Sequence, residues 1–389
     1  MLAGRTVFAE LMTHVSQHKF QTCVARYNGD YKSSRFSCWD QYLCMAFAQL
    51  TYRESLRDIE TCLRAVQSRL YHVGIRARVA RSTLADANET RDWRIYADFT
   101  QGLIRTARDL YREEPLAVDL ANTVYALDAT MIDLCLSVFP WARYRRRDAA
   151  IKLHTQLDLR GPIPTVVHIT EGKRSDLTFL DDLVLEPGAI YVMDRGYLDF
   201  ARLHRFTTEA AFFVTRTKKG IPFRRRASHS VDVATGLQSD HTVGLTTTAA
   251  QRDYPAPLRR VRYVDHTTQR PLVFLTNNFS VPALTIAHLY QSRWGVELFF
   301  KWIKQHLRIK AFYGTSENAV KTQIWIALSV YVLVAIVKKR LALDTSLYTL
   351  LQVLSVTLFE KTPISAALLD VGSPLDPIDE GNQLQLFNL

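Results

Sequence analysis

"TVYALDATMI" (residues 123–132) sets a single aspartate, Asp128, inside a run that is otherwise apolar or β-branched. Short runs of this composition form strands. A carboxylate inside a buried strand is costly unless it is paired or holds a metal. Outward from this run the alternation continues. "AAIKLHTQLDL" (149–159) and "PTVVHITEG" (164–172) are two more strands, and "SDLTFLDDLVL" (175–185) is a helix starting at Ser175. "GAIYVMD" (188–194) is a strand closed by Asp194. "YLDFARLHRFTT" (197–208) is a helix and "AAFFVTRT" (210–217) a strand. The order β-β-β-α-β-α-β predicts a mixed α/β fold, a sheet covered by helices.

The flanks differ in kind. Residues 1 to about 115 read as helical, with apolar residues three and four apart in "SCWDQYLCMAFAQL" and "YRESLRDIETCLRAV". Gly74 breaks the chain, and Ser82 is the expected N-cap of a short helix over "TLADANETR", an arrangement compatible with a helix-turn-helix. Residues 217–275 are polar and β-rich, read as an insertion. They carry Lys218, Lys219, Arg224, Arg225, Arg226, Arg252, Arg259, Arg260, Arg262 and Arg270. The chain beyond is helical to about 370, and its last 28 residues hold Asp370, Asp376, Asp379 and Glu380 but no Lys or Arg.

A net charge of +11 points to a polyanionic partner, nucleic acid before anionic membrane. The five cysteines are odd in number and irregularly spaced, as in a reducing cytoplasm. His14, His18 and Cys23 could form a zinc site on paper, but paired knuckle spacing is missing. The N-terminus has no apolar signal-peptide core. The apolar run Thr322–Val337 has 16 residues, short of the ~20 of a spanning helix, and is expected to be a buried helix.

The stretch "LYQSRWGVELFFKWIKQHLRIK" (289–310) contains one acid, Glu297, among Arg293, Lys301, Lys304, Arg308 and Lys310. On one continuous helix, Tyr290, Arg293, Glu297 and Lys304 fall within an arc of about 60° and a stripe about 21 Å long. Val296, Phe299, Phe300, Ile303 and Leu307 form a neighbouring face that can dock on a sheet. Taken alone, Arg293 and Glu297 make an ordinary i,i+4 ion pair. With Asp128 and Asp194 they complete a set of three acids able to hold two divalent metals about 3.5–4 Å apart for phosphoryl transfer. Magnesium suits such oxygen donors. Arg293 and Lys304 would clamp phosphates and Tyr290 would orient one.

At these residues the chain resembles the DDE cut-and-paste transposases of bacterial insertion sequences, most closely the IS-four family. That family's signature Y-x2-R-x3-E-x6-K is matched by Tyr290, Arg293, Glu297 and Lys304. "YALDAT" and "YVMDRGYLDF" match its two aspartate motifs, and 103 residues separate Asp194 from Glu297. The resemblance implies a ribonuclease-H-like core with a β-rich insertion and Asp128, Asp194 and Glu297 as catalytic metal ligands. Two Mg2+ or Mn2+ ions per site are implied. Tyr290, Arg293, Lys304, Lys301 and Trp294, beside Arg293 as in the family's Arg-Trp pair, are the DNA contacts. It further implies binding of double-stranded inverted-repeat ends, cleavage through a hairpin, joining to target DNA, and a homodimer in a synaptic complex. The setting is a bacterial cytoplasm at the nucleoid, with no membrane partner. Expected divisions are 1–75 (DNA-binding), 76–119 (helix-turn-helix-like linker), 120–216 and 276–340 (core), 217–275 (insertion) and 341–389 (C-terminal region). Relatives stack an aromatic from the insertion, often Trp, on a flipped base. This insertion lacks Trp and offers Phe223, Tyr254 and Tyr263. Two other functions fit the same fold: a catalytically inactive, transposase-derived repressor, or a ribonuclease-H-like nuclease.

Overall fold

Hydroxyl side chains set the first helix starts. Thr6 caps α1 (Val7–Thr13) by accepting from the Ala9 N–H, and Ser16 caps α2 (Gln17–Arg26) through Lys19. Ser37 and Asp40 form a reciprocal capping box on α3 (Cys38–Leu50), and Ser55 caps α4 (Leu56–Ala65). In this computed structural model, residues 4–369 are described, apart from 32, 34, 76, 77, 117, 119, 266, 267 and 307–311. Leu307, Arg308, Lys310 and the acids from Asp370 onward lie outside the described residues.

The chain divides into a helical unit (residues 1–110, 306–314 and 318–389) and a sheet unit (111–305 and 315–317). In the helical unit, α5 (Gln67–Leu70) is one turn, followed by a 3-10 turn at Tyr71–Val73 and by Gly74 at φ +95°. The break at Gly74 is as expected, but the helix before it is a fragment, not the full first helix of a helix-turn-helix. The helix after it, α6 (Arg81–Thr90), starts ahead of Ser82, with Ala80 at its N-cap and no side-chain cap. α7 (Arg94–Tyr111) completes the N-terminal set. Phe20, Trp39, Tyr42 and Phe99 pack ring against ring at its centre.

The sheet unit has a nine-stranded sheet of order β3-β2-β1-β4-β5-β9-β8-β7-β6. β1 (Val124–Leu134), β2 (Ala149–Asp158) and β3 (Ile163–Glu171) form an antiparallel meander. β4 (Ile190–Met193) and β5 (Phe212–Arg216) run parallel to β1. α8 (Leu177–Asp182) precedes β4, and α9 (Phe200–Thr208) links β4 to β5. Residues alternate between faces. Tyr125, Leu127, Tyr191 and Met193 pack with Phe179 of α8 and Leu203 and Phe206 of α9. Val124, Ile190, Val192 and Val214 pack on the opposite face with Ile286, Ala287 and Leu289. This is the mixed sheet the sequence implies.

The stretch 217–275 continues this sheet. It contributes β6 (Phe223–His229), β7 (Leu237–Leu245), the short helix α10 (Thr248–Asp253), β8 (Leu258–Val264) and β9 (Pro271–Thr276). β9 pairs antiparallel with β5, so the edge of the core sheet is covered rather than left open. Two of its features correct the sequence reading. Arg259 is buried in an ion pair with Asp240 and is not a surface cation. Tyr254 and Tyr263 are core residues and cannot stack on a base. Phe223 is half-buried against the core.

The remaining elements are α11 (Ala283–Ser292), α12 (Trp294–His306), α13 (Glu317–Arg340), α14 (Leu347–Thr357) and α15 (Ile364–Leu369). α13 has 24 residues, longer than the 16-residue run suggested, and is long and apolar enough to cross a membrane. Its most apolar window is 94% buried, as expected of a core helix. Two of its polar groups bond within the helical unit: the Ser329 hydroxyl donates to Tyr42 Oη at 3.3 Å, and the Trp325 carbonyl accepts from Thr100 at 3.1 Å.

Candidate active site

β1 and β4 are parallel neighbours with Leu127 level with Met193, so Asp128 and Asp194 follow one another's register at adjacent positions. By the two-residue alternation both belong to the face carrying Val124, Ala126, Ile190 and Val192. Asp194 ends its strand. Its Oδ1 accepts from the Gly196 N–H at 2.8 Å, and its carbonyl accepts from the Thr215 hydroxyl at 3.0 Å. Asp128 Oδ1 accepts from the Ala129 N–H at 2.8 Å.

The helix expected over Tyr290–Lys304 is two helices. α11 ends at Ser292 and α12 starts at Trp294. Arg293 stays in helical backbone geometry (φ −53°, ψ −27°), but the chain there makes the tighter three-residue bonds, Arg293 N–H to Tyr290 O and Val296 N–H to Arg293 O. A Cβ on Gly295 would lie 3.1 Å from Leu159 Cδ2, so glycine lets the start of α12 come close to the end of β2.

Arg293 then spans the site. Its Nη1 donates to Asp128 Oδ2 at 3.0 Å, and its Nη2 donates to Glu297 Oε1. The i,i+4 pair is therefore present, and the same guanidinium also ties α12 to the central strand. Burial pushes the Asp128 carboxyl up to about 6. The Ala129 N–H and Arg293 oppose that rise, while the charges of Glu297 and Asp194 add to it. Arg293 Nε is buried with no partner. The Tyr290 ring lies 5.6 Å from the guanidinium and packs on Phe274 at 5.1 Å. Burial raises the Tyr290 hydroxyl.

On α12, Lys301 is exposed, Lys304 is partly buried and Trp294 is half exposed. Two further acids of the same strand and motif, Asp133 and Asp199, have other positions. Asp199 caps α9 through Arg202 N–H and pairs with the Arg202 side chain, and Asp133 is exposed further along β1. Two hydroxyls beside Asp128 escaped the sequence reading. Thr155 stands opposite Asp128 in the β1–β2 register, and its buried Oγ1 has no hydrogen-bond partner. The buried Tyr197 hydroxyl, also unpartnered, feels the charges of Asp128, Asp176, Asp194 and Arg293. Only the position of Tyr197 in "DRGY" hinted at it.

Among the described residues, no three His, Cys, Asp or Glu side chains converge closely enough to hold one ion. The donor chemistry nevertheless fits a hard divalent cation: oxygen ligands only, on a partly open face, with a carboxyl whose neutral form is favoured by burial and then by neighbouring negative charge. Arg293 occupies the space between Asp128 and Glu297 that such an ion would need.

Residues 120–333 match the family described as "Transposase DDE domain", which covers more than half of the chain and includes all three acids. The chain belongs to the DDE transposase family. Residues 3–76 match a second family, described as "Domain of unknown function (DUF4372)". Over 290 residues the chain is 32% identical to y4zB of Sinorhizobium fredii, a protein named as a transposase; the match spans 73% of this chain and 78% of that one. It is 32% identical over 231 residues to a protein of Geobacillus stearothermophilus named as a transposase for insertion sequence element IS5377, covering 59% and 58% of the two chains. A protein of Synechocystis named as a transposase for element IS4SA is 23% identical over 317 residues, covering 79% and 85%. This DDE transposase is thus an enzyme class that acts on DNA, and its meander followed by parallel strands is the family's ribonuclease-H-like core.

Proposed function

We propose that this transposase binds the inverted-repeat ends of its element, cuts them by metal-dependent phosphoryl transfer at Asp128, Asp194 and Glu297, and joins them to target DNA. The observation that carries this is the level placement of Asp128 and Asp194 on neighbouring parallel strands, with Arg293 tethering Glu297 to the same point. Asp128, Asp194 and Glu297 would hold the cations, Mg2+ or Mn2+, two per site. When bound, these ions supply the charge that activates a water or 3′ hydroxyl and offsets charge on the leaving oxygen.

The chain's own groups do the rest. Were Asp128 and Glu297 to hold a cation, Arg293 would be free to take a phosphate as its partner, a bidentate fit for a guanidinium. Its unpartnered Nε is a further donor for that role. The Thr155 and Tyr197 hydroxyls, buried and unpartnered, can donate to oxygens held at the site. Lys301 and Lys304 extend the cationic path along α12, with Tyr290 orienting a phosphate and Trp294 offering an exposed ring. The four residues Tyr290, Arg293, Glu297 and Lys304 support a reading of this transposase as one of the IS-four group, acting as a synaptic homodimer and cutting through a hairpin. In this reading residues 1–75 recognise the end, and the enzyme works on nucleoid DNA in the cytoplasm.

The test is cleavage of a labelled inverted-repeat duplex by the purified full-length protein with Mg2+ or Mn2+. Asp128→Ala, Asp194→Ala and Glu297→Ala should each lower cleavage at least about a thousandfold while specific end binding persists. Near wild-type cleavage by any one of them would remove that residue from the catalytic set.

A further inference from the structure

A cavity of about 600 Å3 in the helical unit is lined by cations from three separate helices. Lys19 comes from the first turn of α2, Arg26 from its end, Arg105 from α7 and Arg340 from the end of α13. One acid, Asp98, faces them, and it is already paired with Arg26 and accepts from the Tyr27 hydroxyl at 2.9 Å. Lys19, Arg105 and Arg340 have no carboxylate partner among the described residues, and all three are exposed at the rim. Arg340 Nη1 instead donates to His14 Nδ1 at 3.2 Å, which leaves the imidazole neutral with its N–H at Nε2. Burial, then the charge of Arg340, holds His14 below its ordinary value, with Glu10 opposing. The opening of α2 at Ser16 adds the positive end of a helix dipole.

His14, His18 and Cys23, the zinc candidates of the sequence, line this same cavity. They do not form a metal site: among the described residues no three such ligands converge, and burial and Asp98 push the Cys23 thiol up, away from the thiolate a metal needs. A concave surface with unmatched cations focuses potential on anions instead. We propose that this cavity is a binding site for DNA backbone phosphates, contacted by Lys19, Arg105 and Arg340, of which Lys19 lies in a region for which the family description assigns no function. The proposal rests on the reading of this chain as a DNA-end-binding transposase and adds where part of that grip lies. The chemistry, spaced guanidinium and ammonium groups with an imidazole N–H donor, is that of a phosphodiester contact and not of base reading.

The experiment is a salt series of binding to inverted-repeat DNA by the full-length protein, followed by fluorescence anisotropy. Each phosphate contact contributes about 0.9 to the slope of log affinity against log salt. Lys19→Ala/Arg105→Ala should lower that slope by about two, with unchanged thermal unfolding. Lys173→Ala/Lys361→Ala, an equal loss of charge at two lysines that do not line the cavity, should leave it unaltered. An unchanged slope in the first pair, or an equal fall in both, overturns the proposal. So does stabilisation of the wild type by inorganic phosphate that the first pair loses while its DNA slope stays the same, since the cavity would then serve a free anion. Cleavage at saturating protein separates the two readings. The Lys19→Ala/Arg105→Ala protein should still cut with Mg2+, whereas a wild type that binds without cutting counts against the catalytic assignment and leaves the slope comparison to decide this one.

Discussion

Two arginines of the sheet unit each hold carboxylates, and their surroundings differ in a way that separates structure from chemistry. Arg259 on β8 meets Asp240 on β7 in a bidentate pair, Nε to Oδ1 at 2.9 Å and Nη2 to Oδ2 at 2.7 Å. Its Nη1 donates to the carbonyls of Asn278 and Val281, so every nitrogen is used. Both side chains are under a tenth exposed. Arg293 divides its two Nη groups between Asp128 and Glu297, leaves a buried Nε unpartnered, and faces carboxylates 23% and 33% exposed. The first arginine is a finished joint. The second is a cation standing in a cluster of acids with donors to spare, at a break between two helices.

The largest expected effect on stability falls on the finished joint. Asp240→Ala leaves the Arg259 charge buried without a partner and should cost about 3–5 kcal/mol in denaturant unfolding. Arg259→Ala should cost a similar amount, because Asp240 is then the uncompensated charge. A loss below about 1 kcal/mol in either would mean that water reaches the pair and that the contrast with Arg293 is false.

Arg293→Ala should be milder in stability and opposite in metal binding. Its partners can be re-solvated, so the loss should stay near 1 kcal/mol. Removing the resident cation should also raise affinity for Mn2+ in the absence of DNA, read by calorimetric titration. Weaker Mn2+ binding would make Arg293 a support for the metal site instead of its competitor.

Much of this was legible in the sequence, for a physical reason. Side chains of β1 and β4 alternate between two buried faces, so Asp128 within the apolar first half of β1 and Asp194 just past β4 stand out against apolar neighbours, and their facing follows from parity. The register that brings Asp128 beside Asp194 needs only parallel pairing of two short runs. What escaped depends on distant partners. Nothing near Arg293 announces that its guanidinium reaches Asp128, and no proline marks the break there; Gly295 is the only local trace. Arg259 looks like its neighbours Arg260 and Arg262 in "LRRVRYV", and only the pairing of β8 with β7, which sets Arg259 level with Thr242 and diagonal to Asp240, distinguishes it. Tyr254 and Tyr263 were offered as surface rings because the stretch is polar on average. Burial by α9 and β9 could not be read from that average. The pairing of β9 with β5 is likewise non-local, and it makes the β-rich stretch continuous with the core sheet.

The smallest effects concern the rest of α12, and they sharpen the comparison most. Glu297→Gln keeps the side chain's shape and loses one half of an i,i+4 pair that is a third exposed on the acid side, so it should cost at most a few tenths of a kcal/mol in stability. The same change removes a ligand charge, so cleavage should fail while DNA binding holds or rises, the local surface having become more positive. Lys301 is exposed and should matter only through phosphate contact. Lys301→Ala should leave stability within about 0.5 kcal/mol and lower the salt slope of DNA binding by about one. Measured side by side, the two variants separate a ligand from a clamp on a single helix. Glu297→Gln moves chemistry without weakening the grip on DNA, and Lys301→Ala moves the grip without preventing cutting at saturating protein. Were Glu297→Gln to keep cutting, Arg293 and Glu297 would be a second structural joint, weaker than Arg259 and Asp240 but of the same kind.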